Sequence, residues 1–113
     1  MGPASRLIHR YVLLEMGRKD LVERLPDNEA LEGLAGAMLE CHKIYGEQKA
    51  AILFIIEDVT YNICDQRFHE FEIRHQNPDV FVLRKTLTEV FEQGSLEETT
   101  RKLFVDGVEV AMV

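Results

Sequence analysis

The sequence has no glycine-rich phosphate loop. Its seven glycines stand singly, and neither GxGxxG nor GxxxxGK[ST] occurs among the 113 residues. Lacking the clustered backbone N–H groups of such a loop, the chain is not expected to hold ATP by itself. Positive charge is scarce: 13 Lys and Arg face 20 Asp and Glu, giving a net charge of -7 and a pI near 5.0. This excludes a nucleic-acid partner, because phosphate binding needs a basic face and counterion release. No apolar run approaches the roughly 18 residues of a membrane span, so no membrane partner is expected. The opening residues, MGPASRLIHRYVLLEMG, lack the basic region, apolar block and cleavage site of a signal peptide, so the expected location is cytoplasmic. Only two cysteines occur. Cys41 and Cys64 fall on different expected helices without CxxC spacing, so both are read as reduced core residues rather than a disulfide.

Metal-binding and nucleophile patterns are also wanting. His69-Glu70 begins like HExxH, but position 73 is Ile. Without imidazoles at i and i+4, His9, His42, His69 and His75 are expected to be solvent-exposed or partly packed, and no metal ligands are assigned. Cys64 has no base beside it. Glu57 and Asp58 are adjacent on extended backbone and point to opposite faces, which suits solvated loop acids better than a cation site. No catalytic residue is assigned.

What is present is an ordinary globular composition, 46% hydrophobic and 29% charged. One domain over residues 1–113 is expected, with a helical lead-in at 1–46 and an α/β core at 47–113. Leu7, Ile8, Tyr11, Val12 and Leu14 predict a short first helix ended by Gly17. After Pro26, Asp27 or Asn28 caps a second helix whose Leu31, Leu34, Ala35, Met38, Cys41 and Tyr45 keep helical spacing up to Gly46. Asn77-Pro78 turns the chain into an apolar strand, Val80 to Leu83. Thr86 and Glu89 form a capping box for a short helix closed by Gly94, and a polar connection follows. Lys102–Val105 and Val108–Val113 flank Asp106-Gly107, a two-residue hairpin turn. The last strand is fully apolar where the sequence stops, which suggests a cut through or just after a buried strand. An open edge there would favour self-association.

The most informative stretch runs from Ala50 to His75. Ala50 to Ile56 is apolar without alternation, as in a strand covered on both faces of a parallel sheet. After a polar loop, Cys64, Phe68 and Phe71 fall at i, i+4 and i+7, an apolar stripe expected to face the sheet. Asn62 is placed to cap this helix, and Gln66 lies one turn on, so that Asn62, Gln66 and His69 form a stripe expected to face away from the core. Two amides at a helix start, beyond the carboxyl end of a parallel strand, suit a carboxylate ligand. On the residues alone, a simple cap and a solvated face remain the commoner outcome of such a pattern.

Tyr61-Asn62-Ile63-Cys64-Asp65-Gln66-Arg67 resembles the N-I-x-D-Q-R segment of eukaryotic-type glutathione synthetases, which there too follows an apolar strand. His9-Arg10-Tyr11-Val12-Leu13, Gly94-Ser95-Leu96, and Leu103-Phe104-Val105-Asp106-Gly107 with Glu109 and Ala111 match in the same order. The resemblance covers nearly the whole chain. It implies an α/β domain of three layers, α/β/α, with a small mostly parallel sheet, preceded by two helices and ending in a β-hairpin. This is the Rossmann-like substrate-binding domain of an ATP-grasp ligase. It implies that the parent is an ATP- and Mg2+-dependent carbon–nitrogen ligase that joins γ-glutamylcysteine to glycine, and a homodimer.

By the same resemblance Asn62 and Gln66 match substrate-binding positions, with Thr60 and Tyr61 as further candidates. Many members have Glu then Arg at those two places, so a charged contact is missing here. The E-x-N acidic motif and glycine-rich ATP loop of the family are absent, and its R-x-G-Y segment would fall beyond Val113. The chain alone is therefore expected to be inactive, to bind γ-glutamylcysteine weakly or not at all, and to bind no ATP or Mg2+. Its partner would be the remainder of the synthetase. A non-catalytic interaction or oligomerisation module derived from the domain is the alternative.

Overall fold

The computed structural model describes residues 2–59 and 61–113. Helices α1 (Gly2–Glu15), α2 (Lys19–Val22) and α3 (Ala30–Tyr45) precede strand β1 (Ala51–Ile56). Helix α4 (Ile63–Gln76), strand β2 (Phe81–Thr86), helix α5 (Leu87–Gln93) and strands β3 (Gly94–Leu96), β4 (Leu103–Val105) and β5 (Val108–Met112) follow. The first helix is four turns long rather than short, and a one-turn α2 makes the lead-in three helices rather than two. The N-cap of α3 is Glu29, one residue beyond the expected Asp27 or Asn28, and its side chain makes no cap hydrogen bond; Asn28 Oδ1 accepts from the Ala30 N–H at 3.1 Å. Gly46 ends α3 at φ 86°, a left-handed value that costs glycine little.

The sheet has the order β2-β1-β5-β4-β3. β1 pairs in parallel with β2 and β5, whereas β4 pairs antiparallel with β5 and β3. It is thus mixed rather than mostly parallel, because the terminal hairpin folds back into it. Asp106 and Gly107 both have positive φ, 55° and 73°, as the tight turn requires. β5 is a central strand, flanked on both sides. The open edges belong to β2 and β3, which corrects the expectation of a free edge at the last strand. β3 itself replaces part of the expected polar connection. Its three residues join the sheet through backbone pairing with β4.

β1 is covered on both faces over residues 51–53, as its apolar sequence predicts, whereas Ile55 near its end is 42% exposed. Ile52 packs with Ala35 of α3, Ile73 of α4 and Val80 and Val82, and with Phe54, Met38 and Leu39 around them. On the other face Leu53 packs with Val105 and Val110, joined by Leu83, Leu103 and Val90 of α5.

The phase of two helices differs from their apolar spacing. α3 turns Leu31, Ala35, Met38, Leu39 and His42 inward, leaving Cys41 exposed. His42 is buried, with Nε2 2.8 Å from the Ala50 carbonyl, and is not one of the exposed or partly packed histidines expected. α4 buries Gln66 in part and Glu70 and Ile73 fully, while Cys64, Phe68 and Phe71 lie toward solvent. Neither cysteine is a core residue, and the face of α4 expected to point away from the sheet is the one that meets it.

Candidate functional site

The physical reason for the inverted α4 lies in β2. Side chains alternate along a strand, so Val80, Val82 and Arg84 stand on the face that α4 covers. Arg84 is the register partner of Phe54. Its guanidinium needs acceptors there, and the Gln66–Glu70 stripe supplies them. Arg84 Nη1 lies 3.4 Å from Glu70 Oε2, and Nη2 donates to Gln66 Oε1 at 3.2 Å. Arg67 Nη1 donates to the same Glu70 oxygen at 2.6 Å, and Arg74 Nη2 lies 3.0 Å from Oε1. Glu70, 2% exposed, is thus held on both oxygens, which compensates the burial of its charge. Three guanidiniums thus converge on one carboxylate beside Gln66, with the Asp65 carboxylate on the Asn62 side of the same turn. Arg67 also lies over the Phe71 ring, 5.4 Å from its centroid, shielding part of an otherwise exposed aromatic.

Asn62 occupies the N-cap position of α4, but its side chain makes no capping hydrogen bond and is engaged elsewhere. Its carbonyl accepts from the Gln66 N–H at 3.4 Å. The two amides are therefore one turn apart, as expected, with Asn62 exposed and Gln66 half-buried toward β2. Tyr61 is fully exposed. Thr60 lies outside the described residues. His69 turns back on its own helix, Nδ1 2.7 Å from the Asp65 carbonyl. Glu57 and Asp58 are exposed loop acids, as expected.

Asn62 follows the carboxyl end of β1 and Gln66 meets Arg84 near the carboxyl end of β2, the end at which an open α/β sheet offers ligands a crevice. An open depression of about 710 Å³ lies elsewhere, lined by Gly36, His42, Lys43, Asn77 and Val80 near the amino ends of the same strands. It includes none of the candidate residues. Glu70 and Arg84 escaped the sequence reading, although Gln66, Glu70 and Ile73 have the same i, i+4, i+7 spacing as the apolar stripe. The arginine that follows the apolar run of β2 on the face of Val80 and Val82 was the signal for them.

Residues 50–113, more than half of the chain, match the eukaryotic glutathione synthase family model. A glutathione synthetase of Xenopus laevis is 38% identical over 98% of the chain, and one of Homo sapiens 36% over 99%. A chloroplastic glutathione synthetase of Solanum lycopersicum is 32% identical over 94%. The chain spans 23% of the length of the first two relatives and 19% of the third. Among solved structures, a glutathione synthetase-like effector of Globodera pallida in its apo form superposes with a TM-score of 0.84. That alignment covers 96% of this chain and 26% of the effector at 16% identity, a likeness of fold. With the family pattern filling β1 to β5 and relatives above 30% identity along nearly its whole length, the chain belongs to the eukaryotic glutathione synthase family.

Proposed function

We propose that this chain is the substrate-binding domain of a glutathione synthetase, and that Asn62 and Gln66 contribute to the site for γ-glutamylcysteine. The observation that carries the reading is the placement of Gln66: half-buried near the carboxyl end of the parallel pair, one turn from Asn62, with its oxygen bound by Arg84. Tyr61 is an additional candidate at the rim, and Thr60 precedes it in sequence.

In the parent, γ-glutamylcysteine and glycine would be joined at the expense of ATP with Mg2+. The residues of this chain do not fit either group. Its glycines stand singly at helix ends, inside α3, in the hairpin turn and at a close backbone approach rather than in a phosphate cradle, and among the described residues no three His, Cys, Asp or Glu side chains converge. The role of this chain is confined to binding and orienting the dipeptide, and the chemistry would fall to segments of an ATP-grasp enzyme outside it. No described helix is long and apolar enough to cross a membrane, and the reading places the protein in the cytoplasm.

Affinity follows from hydrogen-bond arithmetic. Each neutral hydrogen bond contributes about 0.5–1.5 kcal/mol net, against roughly 8 kcal/mol for a micromolar site, so the chain alone binds the dipeptide in the millimolar range or weaker. Saturation-transfer NMR at millimolar γ-glutamylcysteine tests this. Signal on the ligand that disappears with the Asn62→Ala, Gln66→Ala double variant supports the reading, and identical signal from both proteins refutes it. No glutathione should form from ATP, γ-glutamylcysteine and glycine with this chain as the only protein.

Exposed apolar side chains favour a second reading, a non-catalytic interaction or oligomerisation module. Leu7, Ile8, Tyr11 and Val12 on α1, and Phe91 on α5, are half or more exposed or close to it. In the first reading these faces meet the rest of the synthetase or the second subunit of a homodimer. Light scattering against concentration separates the two, since a strict monomer at high concentration removes the module reading.

A further inference from the structure

Gln66 is an amide, and an amide can face a ligand with either its oxygen or its NH2. Arg84 fixes which side faces β2. A guanidinium has donors only, so the Gln66 group that meets Arg84 Nη2 at 3.2 Å must be its oxygen. Arg84 is in turn anchored through Nη1 by the buried Glu70 carboxylate, whose other oxygen is held by Arg74. The strand register fixes where Arg84 stands, because it continues the row of Val80 and Val82 beneath α4.

We propose that Arg84, anchored by Glu70, is a positioning residue that fixes the Gln66 carboxamide so that its NH2 side, a donor, is turned toward the ligand. The site thereby selects an acceptor, a carboxylate or carbonyl oxygen, over a donor at that point. This rests on the reading that Gln66 contacts the substrate, but the orientation itself is a property of the folded chain and is measured without ligand.

The test uses the whole 15N-labelled chain, with the Gln66 NH2 signals identified by their loss in Gln66→Ala. In the wild type their heteronuclear NOE approaches that of ordered backbone. In Arg84→Met it falls measurably below the wild-type value while the backbone spectrum stays dispersed. Arg84→Lys, which keeps the charge but cannot reach Glu70 and Gln66 together with one fork, gives an intermediate value and decides the matter should Arg84→Met fail to fold. An unchanged NOE in a folded variant, or a mobile Gln66 in the wild type, overturns the proposal. A merely structural Arg84 would change the melting temperature without changing that NOE.

Titration of the same samples with γ-glutamylcysteine supplies the second arm. Loss of one oriented hydrogen bond weakens binding by about threefold to tenfold in Arg84→Met. Equal affinity in the wild type and the variant also overturns the proposal. Gln66→Glu keeps a partner for Arg84 but presents an acceptor outward, so it should fold normally and lose the ligand response. No response even in the wild type refutes the substrate reading, while the NOE comparison still decides the role of Arg84.

Discussion

The Glu70 carboxylate of α4 and the Arg84 guanidinium of β2 meet beneath the helix, 14 residues apart in sequence and 3.4 Å apart in space. Glu70 also carries Arg67 and Arg74, so its removal strips one nearly buried arginine and two half-exposed ones of their acceptor. Breaking a buried ion pair from one side costs more than the pair itself contributes, because a charge is left uncompensated. Glu70→Ala should therefore lower stability by about 3 kcal/mol. Urea unfolding checks this as a fall in midpoint at unchanged slope.

The same contact fixes the phase of α4, which substitution can read directly. Ile73 is fully buried, whereas Phe71 is half-exposed beneath Arg67. Ile73→Ala should cost about 2–5 kcal/mol, the range for a core isoleucine. Phe71→Ala should cost less than about 1 kcal/mol, since surface changes rarely exceed that. The reverse order would place the Cys64, Phe68 and Phe71 stripe against the sheet.

Helix α5 is fixed at both ends. Thr86 Oγ1 accepts from the Glu89 N–H at 3.2 Å and the Glu89 carboxylate accepts from the Thr86 N–H at 2.8 Å, a reciprocal cap. Thr86→Ala should cost about 1 kcal/mol. At the other end Gly94 is extended, at φ -85°, and not the left-handed cap expected of it. Its requirement is space, because a β-carbon there would overlap the Val90 carbonyl. Gly94→Ala should cost about 1–3 kcal/mol through the backbone shift it forces. Thermal unfolding of the two variants measures both.

A pH dependence follows from the contact between α3 and the terminal hairpin. Lys102 Nζ lies 2.8 Å from Glu109 Oε1, and the Tyr45 hydroxyl donates to the same oxygen at 2.7 Å. Lys102 first, then Tyr45, holds the Glu109 carboxyl below its ordinary value. A depressed carboxyl stabilises the fold above its unfolded pKa, about 4.3 for Glu. That contribution is lost as pH falls through the folded value. Tyr45 and Lys102 are both raised, chiefly by Glu109, so their contribution is present below about pH 10 and lost as pH rises through their folded values. Denaturant midpoints should fall on acidification below about pH 4.3, and the difference between wild type and Glu109→Gln should narrow over the same interval.

How far these features could be read from sequence depends on whether local chemistry or a distant partner decides them. Asp106-Gly107 determines its own turn, and Thr86 and Glu89 lie within reach of each other on any helix. Both were legible. The unbroken apolar run of β1 announced two covered faces. The phase of α4 was not legible, because Gln66, Glu70 and Ile73 compete with Cys64, Phe68 and Phe71 at identical spacing, and the choice between them is made by Arg84 on another strand. α3 shows the same limit: Cys41 and His42 are adjacent, and the Ala50 carbonyl draws the histidine inward. β3 is three residues paired through backbone, with little side-chain pattern to reveal it. Asn62 and Gln66 were brought together by helical spacing and singled out as site residues by the family segment they carry, whereas the arginine and glutamate beside Gln66 needed the register of the sheet.

The most direct measurement is a two-dimensional amide NMR titration of the folded chain with γ-glutamylcysteine, repeated with Asn62→Ala and with Gln66→Ala. The account predicts shifts confined to Tyr61–Arg67 and the Arg84 end of β2, weakened in each variant. A well-dispersed spectrum in which nothing moves even at about 100 mM ligand, or shifts clustered instead around His42 and Asn77, would contradict it.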